Sequence, residues 1–207
     1  MNLEKLKKAA DRFLKRYPGG FNHPEMVAIG KKHKMDAMTL FSQEAFSKEK
    51  FDSSETVIEN MIKLISRASM ISVFEKPKFR DFANTLMSPD RELLAIGLEE
   101  RLYGDGKKGF EIMLEILQGG KLAKWPLMTI CPVYYYPQKD VFVKPTTAKG
   151  VIEFFELRSL HYKPGPTWAF YHEYRKIISE MKAAVDPSLS PNNAAFTGFL
   201  MMSLENR

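Results

Sequence analysis

Apolar residues recur at steps of three and four along most of this chain, with charged residues filling the positions between. Leu3, Leu6, Ala10, Phe13, Leu14 and Tyr17 open the series. At about 3.6 residues per turn that spacing gathers the apolar set on one side, so it predicts a first amphipathic helix, which Pro18-Gly19-Gly20 stops. Positions 24–34 and 36–46 read as two further helices or one interrupted helix. Ser53 or Ser54 offers a cap for the next, with Glu55 and Glu59 supplying early negative charge. Its apolar face is broad: Val57, Ile58, Met61, Leu64 and Ile65. Pro77 suits the first turn of a helix running through Phe79, Phe82, Ala83 and Leu86.

Ser88-Pro89-Asp90 with Glu92 is a cleaner start signal, with Ser88 as the cap and a proline at the first helical position. Leu94, Leu98 and Leu102 line one side of that helix, and Gly104-Asp105-Gly106 ends it. Phe110, Met113, Leu114 and Leu117 mark another, closed by Gly119-Gly120. Thr146 or Thr147 is the expected cap of a helix through Phe155. After Pro164-Gly165-Pro166 comes a long aromatic helix over 166–185, carrying Tyr171, Tyr174, Ile178, Met181 and Val185. Phe196, Phe199, Leu200 and Leu204 belong to the last.

One stretch breaks the pattern. Positions 125–147 hold four prolines, three consecutive tyrosines and the lone cysteine, Cys131. Val141-Phe142-Val143 inside it has β-propensity but is too short for a sheet. The expected fold is therefore all-α, a compact bundle-like array of eight to ten helices with one proline-rich irregular segment. Neither an internal repeat nor a linker divides the chain, so 1–207 is expected to form one domain, with Gly119-Gly120 the place for a hinge.

Hydrophobic residues at 44% and charged residues at 27% disfavour disorder. No apolar run approaches the roughly 18 residues of a membrane span. Met1 to Arg16 lacks the continuous apolar core of a secretory signal, and one cysteine forms no internal disulfide. These features point to the cytoplasm and away from membranes.

Charge alters the picture more. The net +6 lies in residues 1–34, where nine Lys/Arg face three acids, and the rest balances at 22 of each. A localised basic end points to an acidic polymer, a nucleic acid or an acidic protein surface. Lys7, Lys8, Arg12, Lys15, Lys31 and Lys32 are the expected contacts. The bland alternative is a solvated helix face.

Candidate chemistry is sparse. Lys144 and Thr146 at a helix start have the makings of an anion site, although no Gly-rich loop accompanies them. Trp125, Tyr134, Tyr135, Tyr136, Phe142, Tyr162, Trp168 and Tyr171 lie near Lys124, Lys139, Lys144 and Lys163. Rings beside cations suit base stacking, yet large aromatics more often pack in a core. In an extended Tyr134-Tyr135-Tyr136 at least one ring points outward. His23, His33, His161 and His172 include no pair at metal-ligand spacing, so neither a metal nor a cofactor is expected. Cys131 sits between Ile130 and Pro132 and reads as inert rather than nucleophilic. Arg80 reads either as an anion ligand or, the structural use, as a partner of Asp81 or of the neighbourhood of Glu75 that fixes a helix junction.

Three readings follow. The first is a non-enzymatic protein that contacts a polyanion through its basic N-terminal region. The alternative is an enzyme or small-ligand binder with a pocket between 125–147 and the helix over 166–185, built from Lys144, Thr146, Arg80, Tyr171, His172 and Trp125. A third, oligomeric role would dock the first helix's apolar stripe on a second copy.

Several blocks resemble a family of bacterial proteins with no established activity. They are Gly19-Gly20 with His23-Pro24, the S-V-F-E-K-P-K-F-R-D-F run from Ser72, Trp125-Pro126 with Thr129, Pro132 and Pro137, and F-V-K-P-T-T from Phe142. Tyr162, Pro164, Pro166-Thr167-Trp168 and Tyr171 complete the set. The resemblance covers most of the chain after residue 18 and implies no function.

Overall fold

Each apolar stripe becomes a helix in the computed structural model, which describes residues 1–205. The elements are α1 (Leu3–Arg16), α2 (Pro24–His33), α3 (Met35–Ala45), α4 (Ser54–Arg67), α5 (Glu75–Thr85), α6 (Ser88–Tyr103) and α7 (Gly106–Gly119). They continue through α8 (Trp125–Tyr135), α9 (Pro145–Phe154), α10 (Trp168–Ala183) and α11 (Asn193–Glu205). Short 3-10 turns lie at Gly20–Asn22, Lys48–Asp52 and Pro187–Leu189. The fold is all-helical, and among the described residues there is no strand; Val141 and Val143 lie outside any helix and are fully buried. No helix among them is long and apolar enough to cross a membrane.

Caps follow local chemistry. Ser53 Oγ accepts the Thr56 N–H, Thr167 Oγ1 accepts that of Phe170, and Asp105 Oδ1 accepts those of Lys107 and Lys108. Two expected caps are displaced. Met87 takes the N-cap position of α6, and Ser88, already helical, donates its hydroxyl to Glu92 instead. Lys144 takes that position in α9, with Pro145 next and no side-chain cap; Thr146 is exposed and Thr147 buried. In both helices a proline pre-set for the first turn lets the helix begin earlier than the hydroxyl-bearing residue suggests. Lys34, at φ 50°, breaks 24–45 into two helices rather than one.

The first half of 125–147 overturns the expectation of irregular structure. It is α8, and nine of its eleven residues are buried. Pro126 sits in the first turn, where its missing N–H has no helical partner to lose, but Pro132 is interior. An interior proline costs about 3 kcal/mol. Each large apolar side chain removed from water returns roughly 1.5–3 kcal/mol, and α8 buries Leu127, Met128, Ile130 and Val133 among others, so burial wins. Tyr134 to Tyr136 consequently close a helix instead of forming an extended run: Tyr134 is buried, and Tyr135 and Tyr136 are half-buried. Only 136–144 remains irregular.

Buried apolar residues from α1 to α11 belong to one contiguous cluster. Most of the α1 stripe is covered within the chain, with Phe13 edge-on to Phe199 at 5.3 Å, while Leu3 stays 46% exposed. Gly120, at the end of α7, lies flat against the Phe82 ring.

Helices α6 and α7 meet backbone to backbone at Gly97 and Gly109. A Cβ on Gly109 would lie 2.4 Å from the Arg101 N and 2.5 Å from the Gly97 O, atoms that cannot yield without moving a helix. Gly109→Ala is therefore expected to destabilise the fold by about 1–3 kcal/mol. Urea unfolding would show it as a lower midpoint.

Candidate functional site

The segment leading out of α8 returns to the core through Asp140. Its carboxylate is 1% exposed and takes three donors on Oδ1: Arg101 of α6 at 2.6 Å, the Tyr171 hydroxyl of α10 at 2.8 Å and Arg175 of α10 at 3.2 Å. The Tyr171 oxygen in turn accepts the Val141 N–H at 3.3 Å, and burial drives that phenol's pKa upward. Asn193 Nδ2 donates to the Asp140 carbonyl at 2.9 Å, which adds α11. Two guanidiniums to one carboxylate leave an excess positive charge. The rings of Trp168 and Tyr171 face it, with the Arg101 guanidinium 5.2 and 5.0 Å from their centroids and that of Arg175 at 5.9 and 5.8 Å. The arrangement ties α6, α10 and α11 to the irregular segment.

Tyr171 is thus committed to the interior and is not a pocket residue. The other expected pocket residues do not converge with it. Arg80 is exposed and donates to Asp81 at 2.9 Å. His172 is exposed beside the Trp168 ring at 5.8 Å. Lys144 and Thr146 are exposed at the start of α9. Trp125 does border a cavity. Nor do the four histidines and Cys131 gather: among the described residues no group of three His, Cys, Asp or Glu is placed to hold a metal ion.

The cavity at Trp125 is an open groove of about 600 Å³. Its sides come from four places in the chain: Ser72, Phe74, Glu75 and Lys78 around the start of α5, Lys124 and Pro126 at α8, Pro145 and Lys149 of α9, and Tyr162 and Pro164 of the loop before α10. Trp125 forms the floor, only 1% exposed, and its indole N–H donates to the Lys163 carbonyl at 2.9 Å, pinning that loop over α8. The Tyr162 ring meets the edge of Phe170 at 5.8 Å and carries the Lys149 ammonium 5.1 Å from its centroid. Glu75 pairs with Lys124 at 3.2 Å. Phe74 stands 76% exposed at the rim, on a turn fixed by the Ser72 hydroxyl and carbonyl.

The basic N-terminal residues are solvent-facing. Lys7, Lys8, Arg12 and Lys15 line the outer side of α1, where Lys8 pairs with Glu4 at 2.6 Å. Lys31 and Lys32 are exposed near the end of α2, a helix that buries only Met26 and leaves Val27 and Ile29 40% and 41% exposed. Arg12 and Arg16 also edge a shallow cavity of about 280 Å³ against Met202 of α11. No family model, curated protein or solved structure matches the chain.

Sequence reasoning missed Asp140 and the groove. A single acid directly before Val141-Phe142-Val143 was the available signal for Asp140, since an acid entering a buried run must find cations. Phe74 and Tyr162 lie too far apart in sequence for any local pattern to pair them.

Removing the carboxylate strands two guanidiniums. Asp140→Ala should cost about 3–5 kcal/mol in chemical denaturation, as breaking a buried ion pair does. Cys131 is fully buried, which pushes its thiol from the ordinary 9.0 up to about 12. It should resist thiol reagents at pH 8 until denaturant is added. The raised value means the folded chain holds a proton that the unfolded chain releases, so this contribution to stability is intact below pH 9 and declines from there through about 12.

Proposed function

We propose that the chain is a non-enzymatic binding protein of the bacterial cytoplasm whose partner is a nucleic acid. The observation that carries this reading is the concentration of the whole net charge of +6 in residues 1–34. Lys7, Lys8, Arg12, Lys15, Lys31 and Lys32 from that stretch all face solvent. Contact through such residues is electrostatic, made with backbone phosphates and independent of sequence. The exposed apolar side chains Val27 and Ile29 lie beside the lysines of α2 and add area to that contact.

The pocket alternative has less support, because Tyr171 is held by Asp140 while Arg80 is engaged with Asp81.

Fluorescence anisotropy with labelled single- and double-stranded DNA and RNA, over a series of salt concentrations, tests the proposal. Binding should weaken as salt rises, with a slope of about 0.7–0.9 per phosphate contact. Lys7→Glu/Lys8→Glu/Lys31→Glu/Lys32→Glu should lower affinity roughly tenfold or more and flatten that slope. No binding at low salt, or binding indifferent to the four changes, overturns it. Association with polyglutamate but not with nucleic acid transfers the surface to an acidic protein.

A further inference from the structure

We infer that the groove over Trp125 is a stacking site for the bases of a single-stranded nucleic acid. The inference rests on the nucleic-acid reading and adds a second contact, remote in sequence from the basic N-terminal residues. Three observations converge on it.

The first is an unpartnered ring. Phe74 is 76% exposed at the groove's rim. Its backbone N–H is held by the Ser72 hydroxyl at 3.3 Å, and the Glu75 N–H by the Ser72 carbonyl at 3.0 Å, so the turn that presents the ring is fixed. An apolar ring kept in water offers a face for another flat, weakly hydrated surface.

The second is charge. The lining holds Lys78, Lys124 and Lys149 against one acid, Glu75, which Lys124 already engages at 3.2 Å. Lys149 sits over the Tyr162 ring at 5.1 Å, which puts an ammonium beside a second aromatic side chain. Rings next to lysines are the complement of a chain of bases joined by phosphates, and the excess of positive charge argues against a neutral or basic peptide.

The third is shape. At about 600 Å³ the groove falls within the roughly 300–1,000 Å³ range of small-ligand pockets, and it is partly open to solvent rather than enclosed. Pro126, Pro145 and Pro164 stiffen three of its sides. A duplex hides the faces of its bases, whereas a single strand can lay them on Phe74 and Tyr162.

The test compares a fluorescein-labelled oligo(dT) with a labelled duplex on the full chain, using wild type, Phe74→Ala, Lys78→Glu/Lys149→Glu and the four-lysine variant of α1 and α2. Circular dichroism checks folding, and the exposure of Phe74 makes its removal harmless there. Phe74→Ala should lower oligo(dT) affinity about tenfold, the loss of one stacked base, while leaving duplex affinity and salt slope unchanged. The double lysine variant should lower oligo(dT) affinity and reduce its salt slope.

Equal loss on both probes, or no loss with Phe74→Ala, overturns the groove. If the four-lysine variant alone loses binding, the polyanion reading stands and the groove falls. If Phe74→Ala alone loses oligo(dT), the groove stands and the N-terminal surface falls. A wild-type chain that binds neither probe sinks both.

Discussion

Helix α8 sits where nearly every direction around its axis is apolar, and most of the architecture is arranged to keep it so. A helix apolar on all sides must be wrapped, and the neighbouring helices supply the wrapping. Its first residue, Trp125, is held to the Lys163 carbonyl, while at the far end the Tyr136 hydroxyl donates to the Leu102 carbonyl of α6. Between these anchors Thr129 turns its hydroxyl back onto the Trp125 carbonyl and accepts the Val143 N–H, so the irregular run after the helix is stitched against it.

The ionic cluster around Asp140 solves a different problem. Chain leaving α8 must cross the interior at 140–143 without sheet partners, and its polar backbone needs other company. Tyr171 serves the Val141 N–H and Asn193 the Asp140 carbonyl, while the carboxylate draws in two arginines. Such a cluster adds little net stability over an apolar packing of equal volume. Its value lies in direction: only one register of α6 and α10 brings Arg101, Tyr171 and Arg175 to a single carboxylate oxygen, with Asn193 of α11 on the Asp140 carbonyl beside it.

Legibility from the sequence divided along physical lines. α1, α4 and α7 have one wet side, so the alternation of apolar and polar residues traced them directly. α8 carries no alternation because it has no wet side, and its prolines argue locally for a loop; only the burial of the whole helix outweighs them. Ser88 and Thr146 misled by one or two positions, since a proline at the start of a helix does part of the work of a cap. Trp125 and Tyr162 stood out as aromatic residues near lysines, but their partnership with Phe74 depends on the crossing of α5, α8 and α9. Periodicity carries no information about crossings between distant segments.

The two tryptophans occupy unlike surroundings. Trp125 lies under the groove, shielded from solvent and hydrogen-bonded through its indole, whereas Trp168 is half-buried against the paired guanidiniums of Arg101 and Arg175. Ultraviolet emission from the chain is thus expected to combine a bluer contribution from beneath the groove with a redder one from beside the ionic cluster. Each reports on its own district of the molecule without any added label.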